Sequence, residues 1–163
     1  MNMNTDELKS YLNDHLAGSV GALELLDRLI DTYKAKPLGR FFSELRADVD
    51  ADQGKLQGLI DQLDAEESSV RKAGAWVMEK LSRPKIQLSE SREGGMGLFL
   101  ALEALALGIT GKQSLWRALA IASETVPQLR VLDYAELEKR ALEQHARVET
   151  KRLEVAREVF KSG

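Results

Sequence analysis

The sequence contains no cysteine, and its 163 residues include only two histidines, three prolines and 6% aromatic residues. The lack of cysteine excludes disulfides, thiolate zinc sites, iron–sulfur clusters and cysteine catalysis. The formal net charge is −3, so the chain has no general attraction to nucleic acids or anionic membranes. We therefore expect a protein that binds neither nucleic acid nor membrane. We also expect it to be cytoplasmic, because a chain without cysteine suits a reducing compartment.

Long apolar runs and catalytic motifs are also lacking. The most apolar stretch, from Met96 to Ile109, is too short to cross a bilayer and contains Glu103. The first residues have neither the basic start nor the apolar run of a signal peptide. EGGMG and GITGK lack the spacing of a phosphate loop, and no local motif indicates a Ser–His–Asp set. The length suits a single domain over residues 1–163, and we expect no catalytic or cofactor-binding residues.

Apolar residues recur every three or four positions, which is typical of amphipathic helices. The pattern predicts helices over residues 5–34, 38–63, from about 93 onward, and 133–161. Pro37 marks a short connector, which predicts that the first two helices are antiparallel neighbours. Residues 64–92 form a predicted crossover with a short helix ending near residue 81. The expected fold is therefore an all-α, antiparallel four-helix bundle.

The third helix has two features of its own. Its residues are apolar on almost every side, which predicts burial all round. Gly108 and Gly111 predict a break, after which residues 113–124 form a separate or kinked segment. The expected bundle thus has additional short helices, both in the crossover and between helices three and four.

A few polar residues interrupt the apolar stripes, where an unpaired charge would be costly. If Tyr33 faces Leu38, partners on the first two helices have numbers that sum to about 71. Ser19 is then level with Asp52, and His15 is one turn away, so the three side chains are predicted to form a polar layer. In a structural role, Asp52 accepts hydrogen bonds from Ser19 or His15.

Three more polar residues belong to the second half of the chain. Glu103 interrupts the third helix, and a basic residue such as Arg152 or Arg147 would pair with it. His145 is expected at the edge of the core, and Glu149 one turn later as a solvated charge. Carboxylates and histidine inside a four-helix bundle are also the ligands of di-iron and di-manganese sites.

The chain resembles the ferritin-like superfamily, and within it a bacterial-type group with a degenerate metal site. LNDHLAGSVGALELL is similar to the first helix of such bundles, ALEQHARVETKRLEVA resembles their closing helix, and the helix order matches. The resemblance implies a glutamate on the first helix, where this chain has Ser19, and Glu-x-x-His on the second and last helices. No Glu-x-x-His occurs in the sequence, since Leu142 stands three residues before His145. Asp52 is the nearest counterpart on the second helix, and Glu103 matches the glutamate of the third.

Three functions fit these features. The first is a non-catalytic ferritin-like bundle with a structural, interaction or stress-related role, without a complete di-iron site and without cofactors. The second is a metal-binding relative for iron, oxygen or peroxide chemistry, with iron or manganese held by an atypical set drawn from Asp52, Glu103, His145 and Glu149. The third is a small-molecule binder that uses the space left by Gly18, Ser19, Gly21 and Ala22. The resemblance also implies a homodimer, for which the apolar first and third helices would provide faces.

Overall fold

The computed structural model of the chain describes residues 5–67 and 95–162, and all regular elements within these ranges are helical. Four long helices are present: α1 (Thr5–Thr32), α2 (Pro37–Glu67), α3 (Met96–Ala122) and α4 (Tyr134–Val159). A 3-10 turn at Pro127–Leu129 precedes α4. The prediction of an all-α chain with four principal helices is confirmed. The short helix predicted near residue 81 lies outside the described residues.

The connector between α1 and α2 depends on two backbone features. Ala35 has φ = 63°, the left-handed conformation that often ends a helix, and Pro37 then occupies the first position of α2. At Gly39, a Cβ atom would lie 2.3 Å from the carbonyl oxygen of Tyr33. The sequence thus turns the chain within a few residues, and this places α2 against α1.

Side-chain pairs show that both sequential hairpins are antiparallel. On the first, Lys9 pairs with Asp64 and Asp27 with Arg46. On the second, Phe99 contacts Phe160 and Arg117 pairs with Glu138. The predicted antiparallel arrangement of the first two helices is therefore confirmed.

A further set of pairs relates the two hairpins. Asp48 and Asp52 on α2 contact Arg147 and Arg140 on α4, so the order of partners is again reversed. Because α4 is antiparallel to both α2 and α3, the latter two run parallel. Glu67 and Met96 consequently lie at opposite ends of the bundle.

The core lies along the axis of the bundle and comes from all four helices. Its largest completely buried side chains are those of Trp116, Phe42, Leu12, Leu26, Leu29, Leu45, Leu59, Ile60, Leu102, Leu115, Leu119 and Leu129. Burying a side chain of this size stabilises the fold by roughly 1.5–3 kcal/mol. At the connector between α3 and α4, the Tyr134 hydroxyl donates a 2.5 Å hydrogen bond to the carbonyl oxygen of Leu129 and so holds the 3-10 turn against the start of α4.

Two predictions about helix ends and breaks are wrong. α2 continues to Glu67, and Asp64 is a buried residue of that helix, 3.1 Å from the Lys9 ammonium. α3 is continuous from Met96 to Ala122, so Gly108 and Gly111 do not break it. Thr110 and Ser114 donate their hydroxyls to carbonyl oxygens one turn earlier, at Ala106 and Thr110. The helical hydrogen-bond ladder outweighs the local cost of two glycines, roughly 1 kcal/mol each.

The prediction that α3 is buried all round is also wrong. Leu100, Leu107 and Ile121 are 53%, 67% and 68% exposed. Among the described helices, α3 packs mainly on α4 and to a smaller extent on α1, which leaves one side of it uncovered. By length and composition α3 is also the one described helix that would suffice to cross a membrane, although part of it is buried within the bundle.

Candidate functional site

A polar cluster centred on Asp52 lies in the middle of the bundle. Asp52 is 2% exposed. Its Oδ2 accepts hydrogen bonds of 2.8 Å from the Lys112 ammonium and from the Gln144 amide, and its Oδ1 accepts one of 2.9 Å from the Arg140 guanidinium. Lys112 also donates to Gln144. The cluster therefore connects α2 with both helices of the second hairpin.

The cluster sets the ionisation of its own members. Burial raises the pKa of the Asp52 carboxyl, but the Lys112 charge and the three hydrogen bonds lower it more, so its pKa lies below the usual value of 3.8. Burial lowers the pKa of Lys112, and the opposing effect of Asp52 is smaller. Asp52 is consequently a firmly ionised carboxylate at neutral pH, and both of its oxygens are engaged by donors.

The predicted polar layer of Ser19, His15 and Asp52 is wrong in its partners. Ser19 donates to the carbonyl oxygen of Leu16 and accepts a 3.0 Å hydrogen bond from Gln53. The numbers of Ser19 and Gln53 sum to 72, one more than predicted, so the helix register was nearly correct. The difference of one residue turns Asp52 away from α1 and toward α3 and α4.

His15 lies beside the cluster without bonding to it. Its ring packs edge-on against Tyr11 at 4.9 Å between centroids. Burial lowers the pKa of His15, and nearby Asp14 raises it by a smaller amount. The imidazole is therefore neutral at physiological pH.

The other sequence-predicted residues lie elsewhere on the second hairpin. Glu149 accepts two hydrogen bonds from Arg152, at 2.8 and 2.5 Å. Glu103 interacts electrostatically with Arg152, one of its predicted partners, and His145 with Glu149. Glu103, His145 and Glu149 are all half-buried. These residues belong to a separate polar group along α3 and α4.

The described residues do not fit a bound metal. Within 5–67 and 95–162, no three or more histidine or carboxylate side chains are grouped so that they could hold an ion. Asp52 is surrounded by two cations and an amide that also donates to it. Glu149 is paired with Arg152. Hard divalent cations need several oxygen ligands directed at one point, and cationic neighbours oppose their binding.

Three residues of the cluster were missed at the level of sequence. Gln144 lies on the buried seam of α4 that contains Leu137, Ala141 and Val148, so a polar residue on an apolar stripe was a usable signal. Lys112 gave little signal, because it follows the two glycines at which a helix break was predicted. Arg140 gave no signal of its own, because an arginine on a helix is usually a surface residue.

An open cavity of about 500 Å³ adjoins the cluster between α1, α2 and α3. Glycines line it from two sides, Gly18 and Gly21 on α1 and Gly108 and Gly111 on α3. Apolar walls come from residues such as Leu56, Leu105 and Ile109. Its polar wall includes His15, Ser19, Asp52, Gln53 and Lys112.

Trp116 forms part of the same wall and has an unsatisfied donor. The side chain is 1% exposed. Its indole N–H has no hydrogen-bond acceptor among the described residues. A buried donor without a partner costs about 1–3 kcal/mol. The nitrogen is not accessible from the cavity, because its exposed area is below 1 Å².

Comparison with known proteins gives no relative from which a function could be transferred: no family model, curated protein or solved structure matches the chain.

Proposed function

We propose that the protein is a non-catalytic helical bundle with a structural or interaction role, ferritin-like in architecture but without a di-metal centre. The observation that carries this proposal is the state of Asp52. Asp52 is the nearest counterpart of a ferritin-like metal ligand on the second helix. Both of its carboxylate oxygens accept hydrogen bonds, from Lys112, Arg140 and Gln144. A fixed ammonium and guanidinium thus supply the positive charge that a metal ion would supply in a ferritin-like centre.

Two features support the ferritin-like part of the proposal. The helix order is that of two antiparallel hairpins, and α2 runs parallel to α3. Glu67 and Met96 therefore lie at opposite ends of the bundle, which is how the helix ends joined by the crossover are placed in ferritin-like folds. A stress-related role and a cytoplasmic location rest on the resemblance and the composition alone.

Metal analysis tests the proposal. Protein purified without added metal, and again after incubation with Fe²⁺ and Mn²⁺ followed by desalting, is analysed for metal per chain. We expect no stoichiometric metal in either preparation. About two irons or manganeses per chain would contradict the proposal and favour the metal-dependent alternative. Protein in which Asp52 is replaced by Asn serves as the control for metal that adheres elsewhere.

The interaction role rests on the uncovered side of α3. Leu100, Leu107, Ser114 and Ile121 follow one another at intervals of seven residues, which places them on one stripe of the helix. Arg117 is 68% exposed, with Glu138 3.7 Å away as an ion-pair partner. Large exposed apolar side chains along one face of a helix favour a protein–protein interface.

The stripe is self-complementary, which favours a second copy of the chain as the partner. With two α3 helices antiparallel about a two-fold axis near Thr110, Leu100 is level with Ile121 of the partner subunit. Glu103 is then level with Arg117 of the partner subunit, so opposite charges meet on both sides of the axis. Most soluble oligomers use such isologous two-fold contacts. We therefore propose a homodimer through α3.

A further inference from the structure

The cavity between α1, α2 and α3 has the size and lining of a ligand site. Its volume of about 500 Å³ falls within the usual range for small-molecule pockets, roughly 300–1,000 Å³. It is open because its walls carry glycines: a Cβ atom added at Gly18, Gly21, Gly108 or Gly111 would meet no atom of the described residues within 4 Å. Within the described part of the chain, space for larger side chains therefore exists at all four positions.

Lys112 offers a hydrogen-bond donor to this cavity. The indole N–H of Trp116 does not, because its exposed area is below 1 Å². The Lys112 ammonium has three N–H groups, of which two are directed at Asp52 and Gln144. The Asp52 oxygens are already satisfied by three donors. A molecule that carries an acceptor oxygen can therefore bond to the third N–H of Lys112.

The charges of the lining decide against an ionic ligand. The Lys112 charge is matched by Asp52 at 2.8 Å. The remaining ionised residues of the lining are Asp14, Glu24 and Arg28, so positive charge is not in excess. Burial keeps His15 neutral by lowering its pKa. A ligand carboxylate would have to lie near Asp52 without a cation of its own, which is unfavourable in a partly buried site.

We propose that this cavity binds a small, uncharged, largely apolar molecule whose carbonyl or similar oxygen accepts a hydrogen bond from Lys112. The apolar part of the molecule fills the space between the glycines of α1 and α3. This binding function is additional to the structural role, and it does not depend on the metal content of the protein or on its dimerisation.

Isothermal titration with 2-octanone tests the site, with octanoate as the charged probe of equal chain length. We expect saturable binding of the ketone at one site per chain and binding of octanoate weaker by about tenfold or more. The absence of ketone binding would overturn the proposal. Tighter binding of octanoate than of the ketone would overturn the assignment to uncharged molecules.

Filling the cavity provides the decisive control. The double variant Gly108→Leu/Gly111→Leu places side chains into the space and should weaken ketone binding by about tenfold or more. Gly54→Leu/Gly58→Leu is matched to it, because both glycines lie within α2, have open space around them and do not line the cavity. It should bind within about twofold of the wild type. Equal binding by the two double variants would contradict a site in this cavity.

Discussion

Asp52 shows how far a single residue can be interpreted from sequence. Its position on the apolar stripe of α2, between Val49 and Leu56, predicted a buried carboxylate, and it is 2% exposed. Its partners were not predictable, because Lys112 and Arg140 lie 60 and 88 residues away along the chain. Periodicity identifies which side of a helix is buried. It does not show which side chain of another helix reaches the same point.

Replacing Asp52 should therefore destabilise the bundle strongly. Asp52→Asn leaves the buried Lys112 ammonium without its counter-charge, and we expect a loss of about 3–5 kcal/mol in the free energy of unfolding. Urea denaturation followed by circular dichroism measures it. Asp48→Asn is the matched control, since Asp48 pairs with Arg147 at a half-exposed position on the same face, and it should cost less than about 1 kcal/mol. Similar losses in the two variants would show that the Asp52 cluster does not stabilise the fold.

The depressed pKa of Asp52 also predicts a dependence on pH. Because the folded pKa lies below the usual value of 3.8, the stabilisation is complete above that value and is lost as the pH falls through the folded pKa. The difference in stability between the wild type and Asp52→Asn should thus be widest above about pH 5 and narrow toward about pH 2. Denaturant midpoints of both proteins across this range provide the measurement. A difference that stays constant down to about pH 2 would show that the Asp52 pKa is not involved.

At the scale of elements, periodicity predicted the helices well and their interruptions poorly. The α1–α2 connector was predicted within three residues at each side, because Pro37 is a strong local signal. The break at Gly108–Gly111 was wrong, because the glycine penalty is local, whereas packing of α3 on α4 along its whole length stabilises a continuous helix. The uncovered side of α3 was not predictable, since burial depends on how many neighbours a helix has.

Two substitutions in the α1–α2 connector should change the stability of the protein in opposite directions. Ala35 is held at φ = 63°, so Ala35→Gly should raise the free energy of unfolding by about 1 kcal/mol. Gly39→Ala should lower it by about 1–3 kcal/mol, because its Cβ would lie 2.3 Å from the Tyr33 carbonyl oxygen. Thermal and urea unfolding of both variants test the turn. Destabilisation by Ala35→Gly, or tolerance of Gly39→Ala, would mean that the turn has a different backbone conformation.

At the scale of the whole molecule, the sequence predicted the class of the bundle, and the arrangement of its hairpins came from long-range pairs. Asp48 with Arg147 and Asp52 with Arg140 make α2 antiparallel to α4. Four amphipathic stripes alone are compatible with several bundle topologies. The small residues of α1 did indicate a space between helices, although the glycines of α3 that complete it had been interpreted as a helix break.

The exposed stripe of α3 leads to a prediction about the oligomer. At micromolar concentration the mass in solution, measured by light scattering after size exclusion, should be close to twice the 18.1 kDa of one chain. Leu107→Lys places a charge close to the proposed two-fold axis, where it would be buried in the contact opposite Ser114 of the partner subunit, and should produce a monomer. Val131→Lys changes an apolar residue of similar accessibility in the connector before α4, and it should remain dimeric.

A second pair of substitutions distinguishes the proposed antiparallel contact from a nonspecific one. Arg117→Glu places like charges opposite each other at both ends of the interface, because Glu103 of the partner subunit lies level with it. Dissociation should therefore increase, by about tenfold in Kd. Adding Glu103→Arg reverses both members of each pair and should restore the dimer. A wild-type protein that is monomeric would contradict the interface, and so would a double variant that dissociates more readily than Arg117→Glu alone.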